Sequence, residues 1–252
     1  EPLAKNRRKL AFETWQSKAH ARFDQTGSTT GKWISLRKHP DQWHLQCELP
    51  FGTIKFRLKL TKFKHVGIFP EQASNWEFIQ KECQKHENPK VLNLFAYTGG
   101  ASLAAKAAGA DVTHVDSIKQ VISWSRENQE ISGLDGIRWT VEDALKFAHR
   151  ESKREKTYQG IIMDPPAWGR GPKGERWKLE QKLDELLQAA SSILDPKGFA
   201  VINTYNGLPL DTLKTKTNTH FKLQQCLSKK LSLKSEQDWY IDTGCVCRIS
   251  GV

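Results

Sequence analysis

The chain has 252 residues and a formal net charge of +11, which is length enough for one large domain or a domain with a small extension. No apolar run is long enough to cross a bilayer and nothing resembles a signal peptide, so we expect no membrane association. The five cysteines are odd in number and lack paired zinc spacing, which predicts reduced thiols, a cytoplasmic location and no metal centre. The charge predicts a polyanionic partner such as nucleic acid, with a solvated basic surface as the alternative.

The first clear pattern lies between residues 43 and 60. Residues 54–60 alternate apolar and cationic side chains, which predicts a strand with one buried and one charged face. Residues 43–49 are expected to pair with it through the Pro50-Phe51-Gly52 turn. We therefore predict a small β-rich N-terminal extension over residues 1–65. Its charged face carries a cationic row of Lys55, Arg57 and Lys59. This row either contacts a phosphate backbone or protects an exposed edge strand from pairing with other strands.

The second predicted domain, residues 66–252, alternates between helix and strand. After a helix over about residues 71–85, a buried strand over residues 91–97 runs into a Gly99-Gly100 turn and an Ala-rich helix over residues 101–110. Four more strands follow, each preceded by a helix: residues 112–116, 137–141, 160–164 and 199–203. The tail is expected to form an antiparallel hairpin from residues 224–233 and 245–249. This order predicts an α/β fold whose parallel sheet is covered on both faces.

An acidic residue ends or follows each of the first three of these four strands. Asp116 is placed to accept both ribose hydroxyls of a nucleoside, although it could instead be a helix N-cap. Asp143 could accept a hydrogen bond from an adenine amine beside the Ala144 amide, or only begin the next helix. Strand, glycine turn and helix indicate a nucleotide-type cofactor site. The dinucleotide fingerprint G-x-G-x-x-G is absent, which argues against NAD or FAD.

The third acid begins the run Asp164-Pro165-Pro166-Ala167-Trp168. The prolines stiffen the backbone and leave carbonyls free as acceptors, so Asp164 and the Pro165 carbonyl are expected to hold a donor on a planar base. Trp168 is expected to stack on that base. The predicted catalytic residues are therefore Asp164, Pro165, Pro166 and Trp168. A basic, glycine-rich segment follows, either a lid that contacts phosphates or a solvated loop: Arg170, Lys173, Arg176 and Lys178.

Together these motifs resemble the class I S-adenosylmethionine-dependent methyltransferases, in the order in which that family carries them. The residues concerned are Asn93-Leu94-Phe95-Ala96-Tyr97-Thr98-Gly99-Gly100, Asp116, Glu142-Asp143-Ala144 and Asp164-Pro165-Pro166. The chain is most similar to the branch of large-subunit ribosomal RNA base methyltransferases. Residues 67–72 resemble the entry motif of that branch. The similarity covers about residues 53–205. It implies a Rossmann-like seven-stranded sheet with an antiparallel final strand, and S-adenosyl-L-methionine as methyl donor.

The resemblance also implies roles for individual side chains. The glycine turn lines the cofactor, Asp116 holds ribose, and Asp143 with Ala144 holds adenine. Phe69 and Gln72 are expected to close over the site. The complete set of expected cofactor-binding residues is Phe69, Gln72, Asn93, Phe95, Tyr97, Thr98, Gly99, Asp116, Asp143, Ala144 and Asp164.

Two positions depart from the family pattern. Asn93 is an amide where an acid is usual, which weakens a salt bridge with the methionine amine. Members that methylate carbon 5 of cytosine carry a Cys after the fourth or fifth strand, where this chain has Asp164-Pro165-Pro166-Ala167 and Asn203-Thr204-Tyr205-Asn206. We therefore predict an enzyme that methylates a ring or exocyclic nitrogen of a base in RNA, with ribosomal RNA as the favoured substrate. The alternatives are methylation of DNA or protein, or a non-catalytic RNA-binding module that retains the cofactor pocket.

Overall fold

A computed structural model describes residues 12–27, 31–62, 64–205, 208–221, 225–234, 238 and 240–251. The described chain begins with α1 (Phe12–Lys18) and two antiparallel hairpins, β1 (Ala21–Gln25) with β2 (Gly31–Ser35) and β3 (Gln42–Leu49) with β4 (Gly52–Lys59). The predicted pairing of residues 43–49 with residues 54–60 is confirmed. Residues 1–11 of the predicted extension lie outside the described residues.

The rest of the chain alternates between helix and strand, as the sequence predicts. A 3₁₀ turn (Pro70–Gln72) leads into α2 (Ala73–Cys83), β5 (Lys90–Leu94), α3 (Gly100–Ala107), β6 (Asp111–Asp116), α4 (Lys119–Ile131), β7 (Arg138–Val141), α5 (Ala144–Lys153), β8 (Tyr158–Met163), β9 (Trp168–Arg170), β10 (Arg176–Lys178), α6 (Leu179–Ile193), β11 (Leu194–Thr204), α7 (Leu210–His220), β12 (Gln225–Lys234) and β13 (Tyr240–Ser250).

Seven strands form one mixed sheet in the order β12-β13-β11-β8-β5-β6-β7. Strands β7, β6, β5, β8 and β11 run parallel, whereas β13 is antiparallel to both of its neighbours. The predicted seven-stranded sheet with an antiparallel final strand is therefore confirmed. After β5 the chain builds β6 and β7 on one side, and then returns to place β8 on the other side. A crevice opens at such a reversal, outside the carboxyl ends of the strands.

Neighbouring residues of the central strand point into two separate cores. Leu92 and Leu94 are fully buried on the face covered by α5, α6 and α7, where α6 contributes the leucine stripe that the sequence predicts. Val91 is buried on the opposite face, where α2 and α3 supply Ile79 and Leu103. Burial on both faces is what requires the near-continuous apolar strands of a parallel sheet.

The hairpin β3–β4 belongs to the second of these cores. Ile54, Phe56 and Leu58 from β4 are buried together with residues of α2 and α3. The hairpin therefore shares a hydrophobic core with helices that follow residue 65. The division of the chain into domains of residues 1–65 and 66–252 stays a prediction.

The cationic face of β4 is turned toward α4. Arg57 forms an ion pair with Glu127, and the Lys59 ammonium lies 4.5 Å from the centre of the Trp124 ring. Side chains of α4 also hydrogen-bond the open edge of the strand, since Asn128 Oδ1 accepts from the Arg57 amide at 2.8 Å. Two of the three side chains predicted to contact phosphates, Arg57 and Lys59, therefore interact with α4 instead. Their charges lie along a strand edge that this helix already covers.

Several elements end earlier or later than their sequence patterns predict. The strand predicted to reach Tyr97 ends at Leu94, because Phe95 and Tyr97 adopt left-handed backbone angles (φ 55° and 49°) that no strand accommodates. The helix predicted to reach Ala110 ends at Ala107 just before the left-handed Gly109. The predicted tail hairpin is confirmed as β12 and β13, with a second strand that begins at Tyr240 instead of Cys245.

The basic segment after β8 forms an antiparallel hairpin of β9 and β10, where the sequence suggests a lid or a loop. Its inner face is fixed to the body of the protein. The buried Trp177 lies against Phe95, with ring centroids 4.8 Å apart, and its Nε1 donates to the Pro166 carbonyl at 2.6 Å. Lys146 of α5 donates to Glu175 in the hairpin turn at 2.6 Å. These contacts order a two-stranded hairpin that would be marginally stable alone.

Candidate active site

A cleft lies at the carboxyl ends of β5, β8 and β11. The turn between β5 and α3 forms one side of it. The opposite side comes from the 3₁₀ turn and α2. The predicted site residues that line this cleft are Phe69, Gln72, Asn93, Phe95, Tyr97, Thr98, Gly99 and Asp164.

The turn from β5 to α3 has a left-handed backbone at every second residue. Phe95, Tyr97 and Gly99 all have positive φ, and only the glycine adopts such an angle without strain. The Tyr97 amide donates to Asp116 Oδ2 at 3.0 Å, and the Ala96 amide donates to the Val115 carbonyl at 3.1 Å. Strain of this kind persists only where the surroundings hold it, and it is concentrated at binding sites.

A second cavity adjoins the first, with Phe95 in the lining of both. Asp116, Asp143 and Ala144 line it on the side of the sheet. The hairpin β9–β10 covers the other side, with Arg170 among its lining residues. The structure therefore brings the three strand-end residues predicted to hold ribose and adenine into one cavity.

Both carboxylates of the second cavity also stabilise the backbone around it. Asp116 accepts from the Tyr97 and Ile118 amides, and burial raises its pKa while these amides lower it. Asp143 is the N-cap of α5, with Oδ1 accepting from the Lys146 amide at 2.9 Å. The capping roles that the sequence offers as alternatives for Asp116 and Asp143 are therefore present in the structure. They do not exclude ligand binding, because each carboxylate has further lone pairs that can accept hydrogen bonds from a ligand.

Asp164 lies at the end of β8 in a polar network inside the first cavity. Asn203 Nδ2 donates to its Oδ1 at 3.0 Å, and Gln72 Nε2 lies 3.4 Å from its Oδ2. Burial raises the pKa of Asp164 to about 7, with the Asn203 hydrogen bond opposing the rise and Glu71 adding to it. At neutral pH this carboxyl group can therefore either accept or donate a hydrogen bond.

A chain of hydrogen-bonded side chains connects Asp164 to Arg248 on β13. Arg248 Nε donates to Asn75 Oδ1 at 2.9 Å, which turns Asn75 Nδ2 toward Gln72 Oε1 at 2.7 Å. Gln72 is thereby oriented with Nε2 toward Asp164 and toward the Tyr205 hydroxyl, which it contacts at 2.8 Å. The predicted closing residue Gln72 thus has its orientation set from β13.

Aromatic rings form the wall of the cleft above Asp164. The ring of Phe69 lies 5.3 Å from that of Tyr97 and 5.7 Å from that of Tyr205. These distances are typical of interacting aromatic pairs, which present an apolar surface to a planar ligand.

The departure at Asn93 has a local explanation. Asn93 Nδ2 donates to Ser102 Oγ at 2.9 Å, and Ser102 Oγ lies 3.0 Å from His114 Nδ1, all three residues being buried. Burial lowers the pKa of His114 to about 3, so the ring is neutral. A neutral amide therefore sits beside a neutral imidazole, which avoids burying an unpaired charge beneath the glycine turn.

Two predicted residues lie outside both cavities. Pro165 is buried, and Trp168 on β9 is 63% exposed. Sequence reasoning missed Asn203, Tyr205 and Trp177, which contact the site from β11, the segment after it, and β10. Only the position of Asn203 after a buried apolar run could have indicated it, since polar groups at the ends of parallel strands share one edge of the sheet.

The two cavities fit a nucleoside that carries no phosphate. Among the described residues lining the first cavity there is no Lys or Arg, and Arg170 alone carries a positive charge in the second. Carboxylates at Asp116 and Asp143 suit ribose hydroxyls and an adenine amine. The first cavity adds a glycine turn and aromatic walls that suit the methionine portion of S-adenosylmethionine.

Comparison with known proteins shows which other proteins share this fold. A crystal structure of a SAM-dependent methyltransferase from Agrobacterium tumefaciens superposes with a TM-score of 0.89 at 34% identity, and the match covers 97% of this chain and 81% of that one. SMU.776, described as a methyltransferase complexed with SAH, superposes with a TM-score of 0.70 at 22% identity over 87% of this chain and 58% of that one, which shows the shared fold.

Curated relatives include two proteins named ribosomal RNA large subunit methyltransferase K/L. The protein from Shewanella frigidimarina is 31% identical over 146 residues, which are 57% of this chain and 20% of that protein. The protein from Magnetococcus marinus is 26% identical over 189 residues, or 73% and 24% of the two chains. The chain thus spans about a fifth to a quarter of the length of these relatives.

A family model settles the assignment, because it matches residues 25–219 and so includes the hairpin β3–β4, the glycine turn and all three acidic strand ends. The expected Rossmann-like methyltransferase fold and its methyl donor are confirmed. This chain belongs to the S-adenosylmethionine-dependent methyltransferase family.

Proposed function

We propose that the enzyme methylates a ring or exocyclic nitrogen of a base in ribosomal RNA. The observation that carries this proposal is the pair of hydrogen-bond acceptors at the ends of β8 and β11. Asp164 is held there by Asn203 Nδ2, while Asn203 Oδ1 is buried and has no hydrogen-bond partner among the described residues. An unsatisfied buried acceptor is costly unless a ligand supplies a donor, and a base nitrogen carries such an N–H.

The residues of the cleft would act mainly by alignment. The bound cofactor supplies an activated methyl group on a sulfonium, which needs little further chemical activation. Asp164 and Asn203 Oδ1 would accept hydrogen bonds from the target N–H and point the nitrogen lone pair along one direction. Phe69 and Tyr205 would hold the base plane and exclude water. The Asp164 carboxylate, whose pKa burial raises to about 7, would receive the departing proton.

A nitrogen target is favoured over carbon 5 of a pyrimidine. Methylation of that carbon requires a thiolate that forms a temporary bond to the base. None of the five cysteines is among the residues that line either cavity. Cys245, which lies nearest along β13 to the end of β11, points its sulfur at the Leu208 carbonyl at 3.8 Å.

The RNA part of the proposal rests on charge and on relatives. The net charge of +11 favours a polyanionic partner. The two curated relatives named above are ribosomal RNA methyltransferases by name, although this chain matches only part of each. Five unpaired cysteines support the further proposal of a reducing, cytoplasmic location. Within the described residues, no helix combines the length and apolarity needed to cross a bilayer.

The test is methyl transfer from labelled S-adenosylmethionine to separate RNA, DNA and protein fractions of a cell extract. We expect label in the ribosomal RNA fraction, and digestion to nucleosides followed by mass spectrometry should place the methyl on nitrogen. The Asp164→Ala variant, checked for cofactor binding by calorimetry, is the matched inactive control.

Three results would contradict the proposal. Label in DNA or protein instead of RNA would assign another substrate. Cofactor binding without transfer to any fraction would indicate a non-catalytic module. A covalent complex with RNA containing 5-fluorocytosine, stable on a denaturing gel and lost in one Cys→Ala variant, would show carbon methylation.

A further inference from the structure

The outer face of the hairpin β9–β10 carries three cationic side chains and an exposed tryptophan beside the cleft. Trp168 and Lys178 form one cross-strand pair of the hairpin, and Arg170 and Arg176 form another. Because side chains alternate along a strand, all four of these residues share the outer face, opposite the buried Trp177, and Arg170 at the end of β9 also borders the second cavity. All four are exposed, and none of their side chains forms a hydrogen bond or ion pair with another described residue.

This arrangement is unfavourable for the isolated protein in two ways. Two arginines directly opposite each other on antiparallel strands repel, and nothing described on this face neutralises them. The one acidic residue of the hairpin, Glu175, is already paired with Lys146. A tryptophan that is 63% exposed adds apolar surface to water. Both costs would be relieved by a ligand that carries negative charge and a flat apolar ring.

We infer that this outer face is the docking surface for the single-stranded RNA that flanks the target nucleotide, an inference that rests on the proposed function. Trp168 stacks on an unpaired neighbouring base, while Arg170, Arg176 and Lys178 contact the adjacent phosphates. Trp168 therefore acts beside the target base instead of on it. This placement agrees with its position outside both cavities.

The chain connects this surface directly to the reacting end of the site. Trp168 follows Asp164 closely in the sequence, and the Leu179 amide donates to the Ala167 carbonyl at 2.9 Å, which closes the base of the hairpin. A base that reaches Asp164 must leave its own stack, so its neighbours are unpaired and free to stack on an exposed ring. Single-stranded RNA therefore fits both the surface and the chemistry.

The test measures binding of a fluorescein-labelled, mixed-sequence single-stranded RNA by anisotropy over a range of salt concentrations. The triple variant R170A/R176A/K178A is compared with K90A/K156A/K197A, which removes the same charge from exposed lysines near the amino ends of β5, β8 and β11. We expect the slope of log affinity against log salt to flatten by about 2 in the hairpin variant, since each single-strand phosphate contact contributes about 0.7. The control variant should flatten it far less.

The stacking contact is tested separately with Trp168→Ala and Trp168→Phe. The alanine variant should bind the RNA about tenfold more weakly or worse, and the phenylalanine variant should recover most of the loss because it keeps a flat ring. Thermal melting checks that each variant is folded. Equal slopes in the two triple variants, or equal affinities of the Trp168 variants and the unchanged protein, would overturn the inference while leaving the proposed function intact. If the unchanged protein binds no RNA, both fall.

Discussion

Replacing Asp164 with Asn should change how the stability of the protein depends on pH. The pKa of Asp164 is raised from 3.8 to about 7 by burial, so the folded protein holds this proton more tightly than the unfolded chain does. The contribution of Asp164 to stability is therefore fully present below about pH 4 and is lost as the pH rises toward about 7, because the native state must give up a proton that it favours. The side-chain amide of the Asp164→Asn variant does not ionise in this pH range. The stability of the variant therefore does not decrease for this reason as the pH rises.

The size of the effect follows from the same shift. Each tenfold change in acidity corresponds to about 1.4 kcal/mol, so ionising buried Asp164 costs the folded state at most about 4 kcal/mol. The cleft is partly open to solvent, which reduces the value actually realised. The substitution itself should be tolerated, since the Oδ1 of an asparagine can still accept from Asn203 Nδ2, and the contact to Gln72 is already long at 3.4 Å.

Urea unfolding between pH 4.5 and 8.5 measures this effect directly. The stability of Asp164→Asn should approach that of the unchanged protein at the acidic end and exceed it by up to about 4 kcal/mol at the alkaline end. Methyl transfer should fall in the same variant, because a charged acceptor becomes a neutral amide. Asp111→Asn, at an exposed position, is the matched control. Parallel stability curves for Asp164→Asn and the unchanged protein would refute the reasoning.

Three further substitutions test other parts of the site. Asp116→Ala should weaken binding of S-adenosylhomocysteine by about 1–3 kcal/mol in calorimetry, because ribose loses a charged acceptor, and unchanged affinity would reduce Asp116 to a turn-capping residue. Gly100→Ala should destabilise the protein by about 1–3 kcal/mol in urea unfolding, since the new Cβ would lie 2.7 Å from the Trp76 ring; an unchanged midpoint would contradict this packing. Arg248→Met removes the donor to Asn75 and should lower kcat more than it weakens cofactor binding, whereas equal losses would indicate a purely structural role.

The order of elements and the edge of the sheet where the site lies are determined by the sequence. Apolar runs that end in Asp116, Asp143 and Asp164 identify parallel strands, and parallel strands bring their carboxyl ends to one edge. This rule depends only on local periodicity and strand direction. Together with the family resemblance it led to eleven expected cofactor-binding residues, all of which line the two adjoining cavities.

The tertiary structure decided what approaches that edge from distant parts of the chain. Asn203, Trp177 and Arg248 act through contacts with residues 39, 11 and 173 positions away, which no local pattern encodes. The same is true of the cationic row on β4, whose alternation predicts an exposed face while residues of α4 in fact contact Arg57 and Lys59. Periodicity specifies which side chains share a face, but only long-range packing determines whether that face meets solvent, another helix or a ligand.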